Sequence, residues 1–206
     1  MTQYLILRHG QSQADLENRF EGRADFPLTA LGRAQAHAVV EWMALYWQPK
    51  QIWSSPLQRT LATAQVVAHA FGLEVQTDPD LQEWHKGVLD GMLREEANRL
   101  YPPPQHPRGP DDPIQDGESA RQVYQRAARF WERLQEIVTP DDYVLIVSHG
   151  GLINMLYRVF LGLPVEREDI GFSTGDTGMH LWEVRDGRHI VRFSNFTAHL
   201  PRDLRT

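Results

Sequence analysis

Short, continuous apolar runs alternate along this chain with longer amphipathic stretches, and that alternation constrains the fold more than any other feature. Residues 4–7 (YLIL) and 143–147 (YVLIV) have the length and composition of strands that are buried on both faces. Between such runs, apolar residues recur at helical spacing, as over residues 57–71 and 118–138. The alternation predicts an α/β fold, a three-layer sandwich with a mostly parallel central sheet.

Helices are predicted where capping residues flank the amphipathic stretches. Thr29 is a suitable N-cap for one helix, and Gly72 is placed to end the helix over residues 57–71. Another helix is predicted over residues 152–161. The helix after Thr29 is expected to bury Leu31, Ala34, Ala38, Trp42 and Leu45, and the helix over 118–138 to bury Val123, Ala127, Phe130, Leu134 and Ile137.

Further strands are predicted where short apolar runs lie between turn residues. Two of them cover residues 51–53 and 74–77. Asp186-Gly187 is a strong hairpin signal, and the runs on either side of it, residues 179–184 and 189–193, are predicted to pair through that turn.

Residues 101–117 break the alternation. Neither a helix nor a buried strand can run through the prolines of this stretch, which are Pro102, Pro103, Pro104, Pro107, Pro110 and Pro113. Because the alternation resumes afterwards, the stretch is predicted to be a surface excursion rather than a linker. Residues 1–206 are therefore predicted to form a single domain.

Composition excludes several classes of function. The chain carries 21 basic and 27 acidic residues, a net charge of −6, which disfavours nucleic acid as a partner. It has no cysteine, which excludes disulfides, thiolate metal sites and cysteine nucleophiles. No apolar run approaches the roughly 20 residues of a membrane helix, and the first residues do not look like a signal peptide. We therefore expect a cytoplasmic protein with no membrane partner.

Two predicted strands end in a histidine followed by glycine, at His9 and His149. The carboxyl ends of parallel strands meet at one edge of a sheet, so both histidines are expected in one crevice. The strand at 51–53 leads to Arg59, which is expected at the same rim, and Arg8 precedes His9. Two arginines and two histidines suit a compact dianion such as a phosphoryl group. Either histidine alone is as readily a polar loop residue, so spacing leaves this function open.

Several ordered motifs resemble the histidine phosphatase superfamily, in its phosphoglycerate-mutase-like branch, over nearly the whole chain. The first is Arg8-His9-Gly10-Gln11-Ser12, which resembles the signature loop of that family. The other matching segments are residues 22–29 (GRADFPLT), 54–60 (SSPLQRT), 81–83 (LQE), 117–119 (GES) and 148–151 (SHGG).

The resemblance implies a phosphohistidine mechanism that needs no cofactor and no metal. His9 is implied as the nucleophile and Glu83 as the acid and base. Arg8, Arg59 and His149, the last when protonated, are implied to hold the phosphoryl oxygens and stabilise the transition state. The phosphate-binding residues implied are Arg8, Ser12, Asp15, Gly22, Arg59, His149 and Gly150. No zinc-type histidine spacing occurs, which agrees with a metal-free site.

Departures from the family pattern bear on the substrate. Asp15 stands where the family usually has an asparagine, and a carboxylate there repels a dianion unless it is protonated or turned away. The paired arginines of the mutases are replaced by the dispersed Arg94, Arg99 and Arg108. These features favour a phosphatase acting on a small phosphate ester. A phosphoglycerate-type mutase and a non-catalytic phosphate-binding relative stay open. Trp84 is a candidate for the substrate entrance, and analogy of fold allows a homodimer.

Overall fold

The computed structural model describes residues 1–106, 108–167 and 169–206, and within them six strands form one sheet. The strand order across the sheet is β3-β2-β4-β1-β5-β6. The strands are β1 (Thr2–Arg8), β2 (Gln51–Ser54), β3 (Val75–Thr77), β4 (Tyr143–Ser148), β5 (Met179–Arg185) and β6 (Arg188–Phe196). Each strand predicted from the sequence is therefore present, with small changes at its ends.

The sheet is mostly parallel, as predicted. Strand β4 pairs in parallel with β1 on one side and with β2 on the other, and β2 pairs in parallel with β3. Strands β5 and β6 are antiparallel and are joined by the predicted turn, where Asp186 and Gly187 both have positive φ. The β1–β4 register sets Arg8 beside Ser148. The residues that follow these two strands therefore emerge side by side at one edge.

Helices cover both faces of the sheet. They are α1 (Gln13–Leu16), α2 (Ala30–Tyr46), α3 (Gln58–Phe71), α4 (Arg94–Leu100), α5 (Ala120–Ile137) and α6 (Gly150–Leu161). Because alternate strand residues point to opposite faces, Tyr4 and Ile6 pack with α5 and α6, whereas Leu5 and Leu7 pack with α2 and α3. This arrangement is the predicted three-layer sandwich.

The buried face of α2 agrees with the prediction only in part. Thr29 caps the helix and Ala38 is buried, as expected, but Ala36, Val39 and Met43 are buried as well, and Leu45 is 75% exposed. Apolar residues occur on nearly all sides of this helix, so their spacing identified only part of the inner face. On α5 the predicted stripe is buried except for its last residue, Ile137, which lies at the helix end and is 49% exposed. Helices α1 and α4 are short and were not predicted.

The proline-rich stretch lies on the surface. Residues 101–106 are all exposed, and no helix or strand occurs between α4 and α5 in the described residues; Pro107 lies outside them. Arg121 attaches the stretch to the start of α5. Its side chain forms an ion pair with Asp111 at 2.7 Å, and its backbone N–H donates to the Pro110 carbonyl. Residues 101–106 thus lie on the surface, whereas Gly109 and Ile114 later in the stretch are half-buried. Among the helices described here, none is both long and apolar enough to cross a membrane.

Candidate active site

His9 follows β1 directly and its side chain is fully buried. Its Nδ1 lies 2.8 Å from the carbonyl oxygen of Gly10. A ring nitrogen that faces a carbonyl oxygen must carry a hydrogen, so a neutral His9 keeps its lone pair on Nε2. Within the described residues Nε2 has no hydrogen-bond partner. The local backbone thus engages Nδ1 and leaves the lone pair of a neutral His9 on Nε2.

His149 stands at the N-terminus of α6, with its ring centroid 5.2 Å from that of His9. Its Nε2 lies 3.0 Å from the hydroxyl oxygen of Ser55, which follows β2. Burial, reinforced by the positive charge of Arg59, lowers the pKa of His149 well below its ordinary value. The geometry thus favours a neutral ring until an anion binds beside it. Ser55, inside a motif noted above, was not singled out from the sequence.

Arg59 is fully buried in the first turn of α3. Its Nη1 and Nη2 donate to the carbonyl oxygens of Ala24 and Gly22, at 2.9 and 2.8 Å. Gly22 has a φ of +47°, and a Cβ there would lie 1.6 Å from an oxygen of Asp90, so only glycine fits. The loop therefore anchors the two terminal nitrogens of Arg59 and leaves Nε directed toward the pocket.

Arg8 is surrounded by acceptors. Its Nη1 donates to the carbonyl of Thr174 at 2.9 Å, and its Nη2 lies 3.3 Å from both Asp15 and Asp176. Burial acts to lower the pKa of Arg8, but the carboxylates of Asp176, Asp15 and Glu21 raise it overall. Arg8 therefore stays charged, and the neighbouring carboxylates offset part of its attraction for an anion.

Asp15 holds the loop that carries His9. One oxygen of Asp15 accepts from the backbone N–H and the hydroxyl of Ser12, at 2.8 and 2.9 Å, in the capping box of α1. The other oxygen contacts Arg8. The Asp15 carboxylate is therefore not turned out of the site, and each of its oxygens has a hydrogen-bond donor.

Glu21 is a site residue that the sequence did not reveal. Its oxygens lie 3.5 Å from Nε2 of His9, 3.3 Å from Nε of Arg59 and 2.5 Å from the hydroxyl of Ser12. Burial acts to raise the pKa of Glu21, but the positive charge available on His9 and Arg59 holds it well below its usual range. The residue directly precedes the matching segment 22–29, and no spacing rule singles it out.

Glu83 approaches the same pocket from the segment after β3. Its carboxylate accepts from the backbone N–H groups of Trp84, Gly151 and Leu152, at 2.7, 3.1 and 3.1 Å. A Cβ on Gly151 would lie 2.4 Å from a Glu83 oxygen, so this close approach requires glycine. Gly150, its neighbour, lines the adjoining cavity. The start of α6 therefore positions both His149 and Glu83.

A buried ion pair supports the segment that carries Glu83. Arg126 on α5 donates to the carbonyl oxygens of Gln82 and Glu83, at 2.5 and 3.0 Å. The same guanidinium contacts both carboxylate oxygens of Glu118, at 2.9 and 3.0 Å. This bidentate pair fixes the backbone beside the Glu83 carboxylate. Glu118 belongs to the matching segment 117–119, whereas Arg126 gave no signal in the sequence.

His9, Asp15 and Glu21 also have a geometry that could hold a metal ion. One ligand atom from each lies within 4.8 Å of the others. Both carboxylates already contact a cation, since Arg8 reaches Asp15 and Arg59 reaches Glu21, each at 3.3 Å. The two guanidinium groups thus supply the positive charge that these carboxylates need.

A cavity of ≈ 640 Å³ opens beside Gly150 and Gly151. Trp84 lines it, as suggested from the sequence, and the ammonium of Lys86 lies 3.7 Å from the centroid of the Trp84 ring. Burial lowers the pKa of Lys86 below its usual value. Of the dispersed arginines, Arg108 lines this cavity and Arg94 does not, because it stacks on Phe20. Arg99 is exposed and is also absent from the lining.

The pocket thus brings two histidines, two arginines and a backbone-held carboxylate to the carboxyl edge of a parallel sheet. The sequence profile of the histidine phosphatase superfamily (branch 1) matches residues 4–197. The chain belongs to this superfamily. A solved structure of a mycobacterial glucosyl-3-phosphoglycerate phosphatase with VO3 has a TM-score of 0.84 to it at 29% identity, covering 95% of this chain and 99% of that one. The predicted family and fold are confirmed.

Curated relatives of this histidine phosphatase include both phosphatases and mutases. Phosphoserine phosphatase 1 of Hydrogenobacter thermophilus is 28% identical over 204 residues, which is 97% of this chain and 95% of the relative. A probable phosphoglycerate mutase of Serratia proteamaculans is 35% identical over 175 residues, covering 82% of this chain and 79% of the relative. Resemblance alone therefore does not choose between hydrolysis and phosphoryl transfer back to the substrate.

Proposed function

We propose that this histidine phosphatase hydrolyses small phosphate monoesters through a covalent phosphohistidine on His9. The observation that carries the proposal is the anchoring of His9 Nδ1 by the Gly10 carbonyl, which leaves a buried Nε2 without a partner in the described part of the chain. Arg59 presents Nε beside it. Attack on phosphorus requires a nucleophile whose lone pair is held in a fixed direction and a cation nearby.

The reaction balances with side chains of this chain alone. Nε2 of His9 attacks phosphorus, the P–O ester bond breaks, and Glu83 gives a proton to the departing oxygen. Water then attacks the phosphohistidine and gives a proton to Glu83. The N–P bond breaks, phosphate leaves, and His9 regains its lone pair. Arg8, Arg59 and an N–H of His149 stabilise the charge on the phosphoryl oxygens in both steps.

Hydrolysis is favoured over mutase activity by the lining of the ≈ 640 Å³ cavity. Its cations, Lys86, Arg108 and Arg158, come from different segments, and Glu118 and Asp112 lie among them. The terminal nitrogens of Arg158 donate to the carbonyl oxygens of Pro164 and Ile170, so Arg158 and Arg108 do not act as a paired-arginine grip on a second acidic group. The relatives named for phosphoserine and glucosyl-3-phosphoglycerate act on small acidic phosphates, and Lys86 suits such a substrate. We therefore infer a small phosphorylated metabolite with an acidic group.

The remaining features of the enzyme are also proposals. The family profile over residues 4–197 supports one domain across 1–206. The net charge of −6 supports a small substrate rather than a polyanionic partner such as nucleic acid. A cytoplasmic location and a homodimer rest on composition and on analogy of fold.

The test is to incubate the protein with a panel of phosphate esters in the presence of EDTA. We expect released phosphate, undiminished by the chelator, and an acid-labile, base-stable phosphoryl group on the protein. Isomerised ester in place of free phosphate would show a mutase. Absence of both products would show a non-catalytic relative. Loss of turnover on chelation, restored by a divalent ion, would contradict the metal-free mechanism.

A further inference from the structure

The carboxylate of Glu21 lies among the groups proposed to hold the phosphoryl oxygens. It contacts the nucleophilic Nε2 of His9, Nε of Arg59 and the hydroxyl of Ser12. A phosphoryl group held by the same three residues must bring an oxygen close to Glu21. Carboxylate and phosphoryl oxygens are both acceptors, so such an approach is repulsive unless a hydrogen lies between them.

The two oxygens of Glu21 differ in their donors, because Nε of Arg59 and the Ser12 hydroxyl both lie beside the same oxygen, at 3.3 and 2.5 Å. The Ser12 hydroxyl has one hydrogen but lies 2.5 Å from Glu21 and 2.9 Å from Asp15, so two carboxylates compete for it. The other Glu21 oxygen faces Nε2 of His9 at 3.5 Å. When His9 is neutral and ready to attack, that nitrogen carries a lone pair and no hydrogen. Glu21 therefore has an unused acceptor directed at the reaction centre.

Asp15 differs from Glu21 in this respect. One of its oxygens accepts from the Ser12 backbone N–H at 2.8 Å, and the other lies 3.3 Å from Arg8. Both oxygens of Asp15 thus have a donor of their own, and the residue does not need a hydrogen from the substrate. Of the two carboxylates, Glu21 is the one placed to receive it.

The charge balance of the pocket points the same way. Arg8 and Arg59 supply two positive charges, and three carboxylates, Asp15, Glu21 and Asp176, contact them. These five side chains carry a net charge of −1, to which a dianion would add two further negative charges. A monoanion adds one and brings the missing hydrogen.

We propose that the site binds its phosphoryl group as the monoanion, that the P–OH hydrogen is donated to Glu21, and that fully ionised oxyanions such as sulfate are thereby rejected. The inference rests on the proposed function, because it concerns the same pocket. The hydrogen stays on the phosphoryl oxygen while the N–P bond forms and the ester bond breaks, so the balance of the reaction is unchanged. Glu21 is then the residue that selects the protonation state of the substrate.

The expected pH dependence follows from the substrate. Phosphate monoesters lose their second proton at about pH 6 and inorganic phosphate loses it at a higher pH, so in each case the monoanion fraction falls roughly tenfold per pH unit above that pKa. Binding should weaken accordingly as pH rises. The groups that face Glu21 are His9, Arg59, Arg8 and Asp15. A change in the charge of any of these groups affects the binding of both anions, so the ratio of phosphate to sulfate binding is the decisive quantity.

The experiment measures binding of inorganic phosphate and of sulfate to the whole protein by calorimetry, between about pH 5 and about pH 8, a range that brackets the second ionisation of a phosphoryl group. A hydrogen bond to a charged group is typically worth a factor of about 10 to 100 in binding. We expect phosphate to bind the wild type tighter than sulfate by about that factor. Glu21→Gln should bring sulfate to within a few-fold of phosphate and remove most of the pH dependence of phosphate binding.

Glu17→Gln is the matched control, since it removes the same charge from a half-buried residue that pairs with Arg19 at 2.6 Å. It should leave the phosphate-to-sulfate ratio unchanged. Equal binding of the two anions by the wild type, or an unchanged ratio in Glu21→Gln, would overturn the inference. So would the absence of any oxyanion binding. If Glu21→Gln does not fold, the wild-type ratio and its pH dependence decide. Selective phosphate binding without ester hydrolysis would instead refute the proposed function alone.

Discussion

The loops that follow β1 and β4 look alike in sequence but present their histidines differently. The two strands are adjacent, parallel and in register, and each is followed by His-Gly. In the first loop the Gly10 carbonyl fixes Nδ1 of His9 and leaves Nε2 without a partner among the described residues. In the second, Ser55 contacts Nε2 of His149 and leaves Nδ1 without one. The nitrogen that faces the pocket is set by the hydrogen bond on the other side of the ring.

This difference assigns different chemical roles to the two rings. His9 keeps a lone pair beside Glu21 and Arg59, as a nucleophile requires. The Ser55 hydroxyl accepts from the backbone N–H of Leu57 at 3.3 Å, so its own hydrogen is available to Nε2 of His149. That leaves the N–H of His149 on Nδ1, as a donor to a phosphoryl oxygen. In the proposed mechanism, the histidine of the first loop attacks phosphorus and that of the second stabilises charge.

The largest expected effect comes from removing the nucleophile of the first loop. His9→Gln should abolish turnover, because no other ring nitrogen replaces Nε2 at that point, and the acid-labile phosphoryl group should disappear. Glutamine approximates the volume of the imidazole, which matters because His9 is fully buried. Thermal unfolding is the control for the fold. Retention of more than a few percent of activity by a folded variant would show that another residue is the nucleophile.

The sequence predicted how these loops meet but not all that surrounds them. His9, His149 and Arg59 come together because β1, β4 and β2 are neighbours in a parallel sheet, and the order of apolar runs is enough to expect such a sheet. Glu21 could not be predicted, since its position depends on a loop that the bonds of Arg59 to the Gly22 and Ala24 carbonyls hold in place. Contacts of this kind join residues far apart in sequence and leave no periodicity.

The partly wrong prediction of the buried face of α2 has a similar cause. Periodicity identifies the inner side of a helix when the polar residues share the other side, as they do on α5. On α2 the exposed Leu45 and the buried Met43 are both apolar, so only the tertiary contacts distinguish them. Glu83 was predicted as the acid and base through a resemblance of motifs, not through spacing. Its hydrogen bonds to the start of α6 are visible only in the structure.

The second-largest effect is expected from Glu83, which the loop after β4 also positions. An alkyl phosphate leaves as a strongly basic alkoxide and needs a proton, whereas an aryl phosphate such as p-nitrophenyl phosphate leaves as a weakly basic phenolate. Glu83→Gln should therefore slow phosphoenzyme formation from an alkyl ester by ~10²–10⁴-fold and largely spare the aryl ester. Single-turnover kinetics on both esters measures this.

The aryl ester provides the internal control for Glu83→Gln. Water attack on the phosphohistidine also uses Glu83, so a burst of phenolate should appear with the variant where the wild type shows none. Equal slowing of phosphoenzyme formation for both esters would show instead that the carboxylate only orders the backbone at Gly151 and Leu152, with which it forms hydrogen bonds.

The smallest expected effect tests whether Ser55 orients the second ring. Ser55→Ala removes the contact with Nε2 of His149, and one neutral hydrogen bond is worth about 0.5–1.5 kcal/mol, so kcat/KM should fall by up to about tenfold. The loss should vanish when His149 is already replaced by glutamine, because Ser55 acts through that ring. Ser54→Ala is the matched control: this fully buried hydroxyl donates to the Ser55 carbonyl at 2.8 Å and does not contact His149. An equal loss from Ser55→Ala in both backgrounds, or the same loss from Ser54→Ala, would mean that Ser55 only stabilises the turn after β2.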